Sequence, residues 1–227
     1  MSVVFPLSNQ FNVVFPAPPP SYSKALLDTA TPGSYTVSLN ESLYTLVILI
    51  GAGGGGQSGN ITGNSGVAGY GGAAMIAVFA PNTTGSLSIT VGAGGAGGAA
   101  SASSTQNAGS AGSASTLGWG GTIYFTCGGG GGGGASGAAN GIFSAASGAP
   151  IPYLGAGFQN GNPVFQYVKG AQQTVGATGA SSSSGAGGAG GAGGIGAGGG
   201  GGGAGSTQGG AGGAGGNGYA LVLQFGE

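Results

Sequence analysis

The sequence predicts an all-β protein in which a β-sandwich-like base carries glycine tracts packed as polyglycine II helices, with almost no α-helix. Glycine accounts for 62 of the 227 residues, whereas proline accounts for only 10, so the tracts lack the composition of collagen. In residues 185–194 a larger residue recurs at every third position between glycines. Three residues per turn is the period of an extended helix of the polyproline II type, which has no internal hydrogen bonds.

The strands of the base are predicted from apolar alternation. Residues 34–39 alternate, and residues 43–50 are apolar on both faces, as a central buried strand should be. Five further segments are predicted to be strands, namely residues 73–80, 87–91, 122–127, 164–168 and 219–225. Residues 21–30 are expected to form at most one short helical turn, and no later segment has helical periodicity.

The glycine tracts admit two interpretations, a flexible linker or a packed lattice. Alone, such a tract would be a flexible spacer. Several predicted strands run directly into a tract, however, as Ile50 does into Gly51 and Cys127 into Gly128. Strands of one sheet would hold the tract ends side by side and reduce the entropy lost on ordering. We therefore expect a lattice in which the backbone groups of one tract pair with those of the next.

The N-terminal 32 residues differ in composition from residues 33–227, and we predict an extended attachment arm followed by one glycine-rich domain. The arm repeats Val-Val-Phe-Pro, so its attachment candidates are Val3, Val4, Phe5, Val13, Val14 and Phe15. These apolar extended segments would dock on another chain. A poorly ordered N-terminus is the alternative.

The composition argues against several classes of function. The chain has two lysines, three acidic residues, no arginine and no histidine, which is too few cations for nucleic acid and too few polar ligands for catalysis or a metal. The glycine run 51–56 matches a dinucleotide fingerprint, but no acidic residue follows it before Glu227. We therefore expect no enzyme activity, cofactor or metal. No apolar run is long enough for membrane insertion, and no secretory signal is recognised.

The predicted recognition surface is residues 150–168, where aromatic, amide and proline residues interrupt the glycine-rich sequence. Its receptor-binding candidates are Tyr153, Phe158, Gln159, Asn160 and Asn162. Aromatic rings and side-chain amides suit a neutral glycan or a protein surface. For Phe165 and Tyr167 we weigh the alternative that they are strand residues covering a core.

The order of these blocks resembles the glycine-rich domain of phage tail-fibre tip adhesins and related virion structural proteins. The resemblance covers residues 33–227: a buried strand into 51–56, strands into 92–98 and 128–134, then long tracts closing on Asn217-Gly218-Tyr219 and a last alternating strand. It implies a β-structured base, a bundle of polyglycine II helices, and receptor contacts made by the turns between tracts.

From this resemblance we expect a viral structural protein, a fibre or spike component that binds the host cell surface and is exposed on the virion. Its expected partners are other virion proteins and a host surface glycan or protein, and we expect a homo-oligomer, with a trimer among the options. The alternative is an architectural capsid, vertex or filament subunit without a receptor-binding role. Ice binding by a flat polyglycine bundle is a more distant third hypothesis.

Overall fold

A computed structural model describes residues 6–7, 11–12, 22–81, 85–146 and 176–226. Within these residues the protein is all-β, with two antiparallel sheets that form a sandwich-like base and no helix. A separate pair of two-residue strands, β1 (Pro6–Leu7) and β2 (Phe11–Asn12), is also antiparallel. The predicted fold class is confirmed.

The first sheet has four strands in the order β3, β11, β5, β6. They are β3 (Tyr22–Thr29), β5 (Tyr44–Ile50), β6 (Ala74–Phe79) and β11 (Tyr219–Gly226). β5 is an inner strand of this sheet, as its apolar character predicted, and its side chains alternate between fully and partly buried.

The second sheet has five strands in the order β10, β9, β8, β7, β4. They are β4 (Gly33–Ser38), β7 (Ser86–Val91), β8 (Ser115–Trp119), β9 (Thr122–Cys127) and β10 (Phe143–Ala145). The apolar core between the sheets includes Val47, Leu49 and Met75 from the first sheet and Ile89 and Phe125 from the second.

The predicted helical turn at residues 21–30 is wrong, because Tyr22–Thr29 pairs with β11 along the edge of the first sheet. Lys24, Ala25 and Leu26 suit a helix, but the neighbouring strand provides ladder partners that outweigh this weak local preference. Residues 22–29, which we had assigned to the arm, therefore lie in the four-stranded sheet. The predicted strand at residues 164–168 lies outside the described residues.

The glycine tracts leave the two sheets and form one hydrogen-bonded bundle. Its tracts are residues 51–60, 66–72, 92–98, 107–113, 128–133, 176–182, 185–194, 196–205 and 208–217. We call the end beside the sheets the base and the opposite end the tip. The tract 51–60 begins directly after β5, and the tract 208–217 leads into β11, so the sheets hold both at the base.

The tract 51–60, the central tract, is enclosed by six others. The N–H groups of Gly53, Gly54 and Gly55 donate to the carbonyl oxygens of Gly216, Tyr70 and Ser110 at 2.8, 2.9 and 2.9 Å. The N–H groups of Gly56, Gln57 and Ser58 donate, in the same order, to the same three tracts, 208–217, 66–72 and 107–113. Carbonyl groups of the central tract accept from the tracts 92–98, 128–133 and 196–205. Rotation by one third of a turn per residue is the period of polyglycine II.

Glycine is required at most positions where an α-carbon faces the backbone of another tract. A Cβ atom on Gly53, Gly54 or Gly55 would lie 1.9, 2.1 or 2.0 Å from a carbonyl oxygen of a neighbouring tract. The larger residues of the triplets face outward, since Ala93, Ala96, Ala186, Ala189 and Ala192 are all exposed. In these two outer tracts the triplet pattern thus records which third lies on the surface of the bundle.

Ser115 joins the sheets to the bundle at its base. Its fully buried hydroxyl donates to the carbonyl oxygen of Ile50 at 2.7 Å and accepts from the N–H of Gly92 at 3.0 Å. Ile50 ends a strand of the first sheet and Gly92 follows a strand of the second. One side chain therefore fixes two tract origins relative to each other.

Candidate functional site

The tip of the bundle is formed by the turns between tracts. These turns are residues 61–65, 99–106, 134–138, 183–184 and 206–207. Four of them join a tract that runs away from the base to one that returns to it, and the turn 134–138 leads from the tract 128–133 back toward β10. Serine, threonine, asparagine and glutamine predominate in four of the five turns, which places hydroxyl and amide groups at this end.

Asn60 anchors two of these turns at the end of the central tract. Its side chain is 2% exposed, and its Oδ1 accepts from the N–H groups of Thr62 and Asn64 at 3.1 and 3.0 Å. Its Nδ2 donates to the carbonyl oxygen of Ser104 at 2.8 Å. A buried amide with all of these bonds holds the turns 61–65 and 99–106 together.

Side-chain hydrogen bonds also join other parts of the tip. The hydroxyl oxygens of Ser65 and Ser181 are 3.1 Å apart, and Nε2 of Gln106 donates to the carbonyl oxygen of Ser65 at 2.9 Å. The N–H of Ser206 donates to the carbonyl oxygen of Gly185 at 2.8 Å. Apart from the turn 134–138, the tip turns are therefore bonded to one another or to the tract ends beside them.

An open recess with a volume of about 420 Å³ lies among three of these chain segments. Its lining consists of Ile61, Gly63, Ser181, Ser182, Ser183, Ala204, Gly205 and Ser206. The recess thus offers four serine hydroxyl groups and one branched apolar side chain. Such a surface can form hydrogen bonds with neutral polar groups and contact a small apolar face.

The charges of the described residues lie away from the tip. Lys24 and Asp28 belong to β3, and Glu41 lies in the turn before β5. Burial, together with the hydrogen bond to Asp28 and its charge, raises the pKa of Tyr219 to about 12. Burial also raises the pKa of Cys127 to about 12. Neither side chain belongs to a tip turn, and the described tip residues are uncharged.

The described residues contain no group of three or more histidine, cysteine, aspartate or glutamate side chains that could hold a metal ion. Where the structure describes the chain, no helix is long and apolar enough to cross a membrane. The recess at the tip contains no acid, imidazole or thiol that could act as a general acid or base.

All the site residues predicted from the sequence lie outside the described residues. This applies to Tyr153, Phe158, Gln159, Asn160 and Asn162, and equally to Val3, Val4, Phe5, Val13, Val14 and Phe15. They stay predictions.

The described residues next to the segment 147–175 lie at the base. Ala146 follows β10 and its N–H donates to Tyr124 of β9 at 2.8 Å, while Gly176 pairs with Gly198 near the start of a tract. The described residues that flank the predicted receptor contacts thus lie at the end opposite to the tip.

Sequence reasoning assigned recognition to the turns in general, through the resemblance, but did not identify which of them meet. The available signal was local: polar residues interrupt the glycine tracts at 101–107, 181–184 and 206–208. Their convergence depends on tract direction, which the hydrogen bonds establish.

The fold and the tip define a class of protein in which two small sheets hold a bundle of hydrogen-bonded glycine tracts. A family model described as a glycine-rich domain matches residues 29–223, and the chain belongs to this family. A comparison with curated proteins finds no significant match.

Proposed function

We propose that the protein is a virion structural protein, a fibre or spike component, that attaches to the host cell surface through the turns at the tip of the bundle. The observation that carries this proposal is the convergence of hydroxyl and amide groups on one rigid, uncharged end. The resemblance to phage tail-fibre tip adhesins supports the same assignment.

The chemistry of the tip favours a neutral ligand, either a glycan or an uncharged protein surface. Serine hydroxyl groups can both donate and accept hydrogen bonds, as sugar hydroxyl groups do. The described tip has no lysine or arginine with which to bind an anionic ligand. Because its turns are already joined to one another, they lose little conformational freedom on binding.

Attachment through such a surface would depend on several copies acting together. A few hydrogen bonds to a neutral ligand contribute modestly, since each replaces a bond to water. Display of several copies on one particle raises the total affinity without new contacts.

The test is binding of the purified protein and of virus particles to host cells. Ser183→Lys and Ser206→Lys each put a charged, long side chain at the recess, and we expect either substitution to abolish most binding. Ala96→Lys is the matched control, because Ala96 is exposed on the side of the bundle. We expect this control to bind as the unmodified protein does.

Deletion of residues 150–168 separates the two predicted surfaces. Loss of binding in the tip variants with retention in the deletion assigns recognition to the tip. The reverse result assigns it to the segment 150–168 and contradicts the tip proposal. Full binding by all variants would contradict both predicted surfaces, and absence of binding by the unmodified protein would favour the architectural alternative.

A further inference from the structure

The bundle has an open groove along its outer edge, between the tracts 176–182 and 185–194. These two tracts are joined by hydrogen bonds from Gly188 to Ala180 and from Gly191 to Ala177, each 2.8 Å long. We call the surface beside these bonds the edge groove. Its groups face solvent, since Ala177, Ala180 and Ala189 are exposed.

The glycines on the floor of the edge groove have no further tract in front of their α-carbons. At interior glycines such as Gly187 and Gly190, an added Cβ would lie 2.2 Å from a carbonyl oxygen of the next tract. At Gly188 and Gly191 the nearest atoms are instead the nitrogens of the adjoining tract, at 3.0 and 3.1 Å, and at Gly194 nothing lies within 4 Å. Gly188, Gly191 and Gly194 therefore form a row of surface glycines, whereas most other outward rows of the bundle carry side chains.

The walls of the groove carry the polar groups that a further tract needs. In the tract 176–182, the N–H groups of Gly176 and Gly179 bond to the tract 196–205, while those of Ala177 and Ala180 donate to none of the described residues. On the opposite wall, the carbonyl groups of Ala186 and Ala189 accept from none of the described residues. Rotation by one third of a turn per residue directs both sets toward the groove.

A second gap in the bundle is closed, which distinguishes it from the edge groove. It lies beside the tract 196–205, where the N–H groups of Gly198 and Gly201 find no acceptor among the described residues. The contact between the hydroxyl groups of Ser65 and Ser181 spans this gap at its tip end. Side chains thus occupy the position at which a tract would enter.

The geometry points to the edge groove as a docking site for one extended glycine-repeat strand, of the form Gly-Gly-X, from a separate polypeptide. A strand in this position continues the existing lattice, with glycine toward the two walls and the larger residue toward solvent. Among the residues of this sequence that lie outside the described base and bundle, none forms a segment of that kind. Residues 1–21 contain no glycine, and residues 147–175 contain no two adjacent glycines.

The experiment titrates ¹⁵N-labelled full-length protein with an acetylated (Gly-Gly-Ser)₅ peptide at millimolar concentrations and follows the backbone amide signals. We expect saturable shifts at Ala177 and Ala180 but not at the amides of the central tract. The control peptide is (Ala-Ala-Ser)₅, whose Cβ atoms cannot approach the walls, and we expect it to shift neither signal.

Two protein variants complete the test. Gly191→Ala and Gly194→Val place side chains in the groove, and we expect either to weaken peptide binding by about tenfold or more. Ala192→Val, on the outward row of the same tract, should bind as the unmodified protein does. Unfolding temperatures within the same range for all variants show that the fold is retained.

The proposal is overturned if the glycine peptide shifts neither amide, if the alanine peptide shifts both equally, or if groove variants and control bind alike. If the amides of Ala177 and Ala180 shift with protein concentration alone, the occupant is a second copy, and the assignment to a separate polypeptide is wrong.

Discussion

The α-carbon of Gly56 faces the carbonyl oxygen of Gly200 so closely that an added Cβ would lie 2.1 Å from this oxygen. Both atoms belong to backbone, and each tract is hydrogen-bonded to several others, so neither can move aside without breaking its own hydrogen bonds. Main-chain groups rather than side chains therefore form the interior of the bundle, and a single methyl group is the smallest probe of this packing.

Gly56→Ala should destabilise the protein by at least about 3 kcal/mol, the upper range for an overpacked core. The methyl group must push apart two tracts that share hydrogen bonds with several neighbours. Urea unfolding followed by tryptophan fluorescence measures the loss.

The control for this substitution is Gly194→Ala, because nothing lies within 4 Å of an added Cβ at that position. We expect a change within about 0.5 kcal/mol. Equal effects of the two substitutions would show that alanine acts through general chain properties and not through contact between tracts.

Asn60→Ala should loosen the tip while leaving the base intact. The change removes one acceptor from the N–H groups of Thr62 and Asn64 and one donor from the carbonyl oxygen of Ser104. Thr62, Asn64 and Ser104 are exposed, so water can replace the lost partner and each lost bond costs about 0.5–1.5 kcal/mol. Hydrogen exchange of the Thr62 and Asn64 amides should accelerate, with the sheet amides unchanged. Faster exchange in the sheets as well would place Asn60 in the global core.

Cys127 should lower the stability of the protein in alkali. Burial raises its pKa from 9.0 to about 12, so between these values the unfolded chain loses the thiol proton while the folded chain keeps it. The unfolded state then binds fewer protons, and stability falls as pH rises, by at most about 1.4 kcal/mol per pH unit.

Cys127→Ala removes this contribution, so its stability should decline less steeply than that of the unmodified protein between pH 9 and pH 12. The cavity left by the substitution lowers the stability by the same amount at every pH. Comparing slopes therefore removes this cost from the measurement. Parallel pH profiles would show that the thiol is equally solvated in the folded and unfolded chains.

The sequence indicated the strands wherever apolar alternation was continuous, as in β4, β7 and β11, and indicated β5 by its apolar residues on both faces. It missed β8, where Gly118 interrupts the pattern and the pairing with β9 shifts register between Leu117 and Gly118. It also missed β10, which is only three residues long and depends on β9 for its pairing. β3 was missed because its helix-forming residues become a strand only beside β11.

Trp119 shows the same limit for side chains. Its neighbours in the sequence are Gly118 and Gly120, yet the centroid of its ring is 5.1 Å from that of Phe79 and 5.9 Å from that of Tyr124. This contact depends on the pairing of β8 with β9 and on the packing of the two sheets. Local glycine neighbours gave no sign of it.

For the glycine tracts, the period of three predicted which residues face outward but not which tracts are neighbours. The outward row of residues 185–194 follows from the spacing of its alanines. That the tract 51–60 is enclosed by six others depends on turn directions that Gly-Ala repeats do not encode. The identity of the turns at the tip was beyond the sequence for the same reason.

The most direct test of the lattice is amide hydrogen exchange measured by NMR across residues 51–60 and 196–216. We predict that Gly53, Gly54, Gly55 and Gly56 exchange only through global unfolding, because each N–H donates to another tract. The amides of Ala177 and Ala180, which have no acceptor among the described residues, should exchange rapidly. Rapid exchange throughout residues 51–60 and 196–216 would contradict the account.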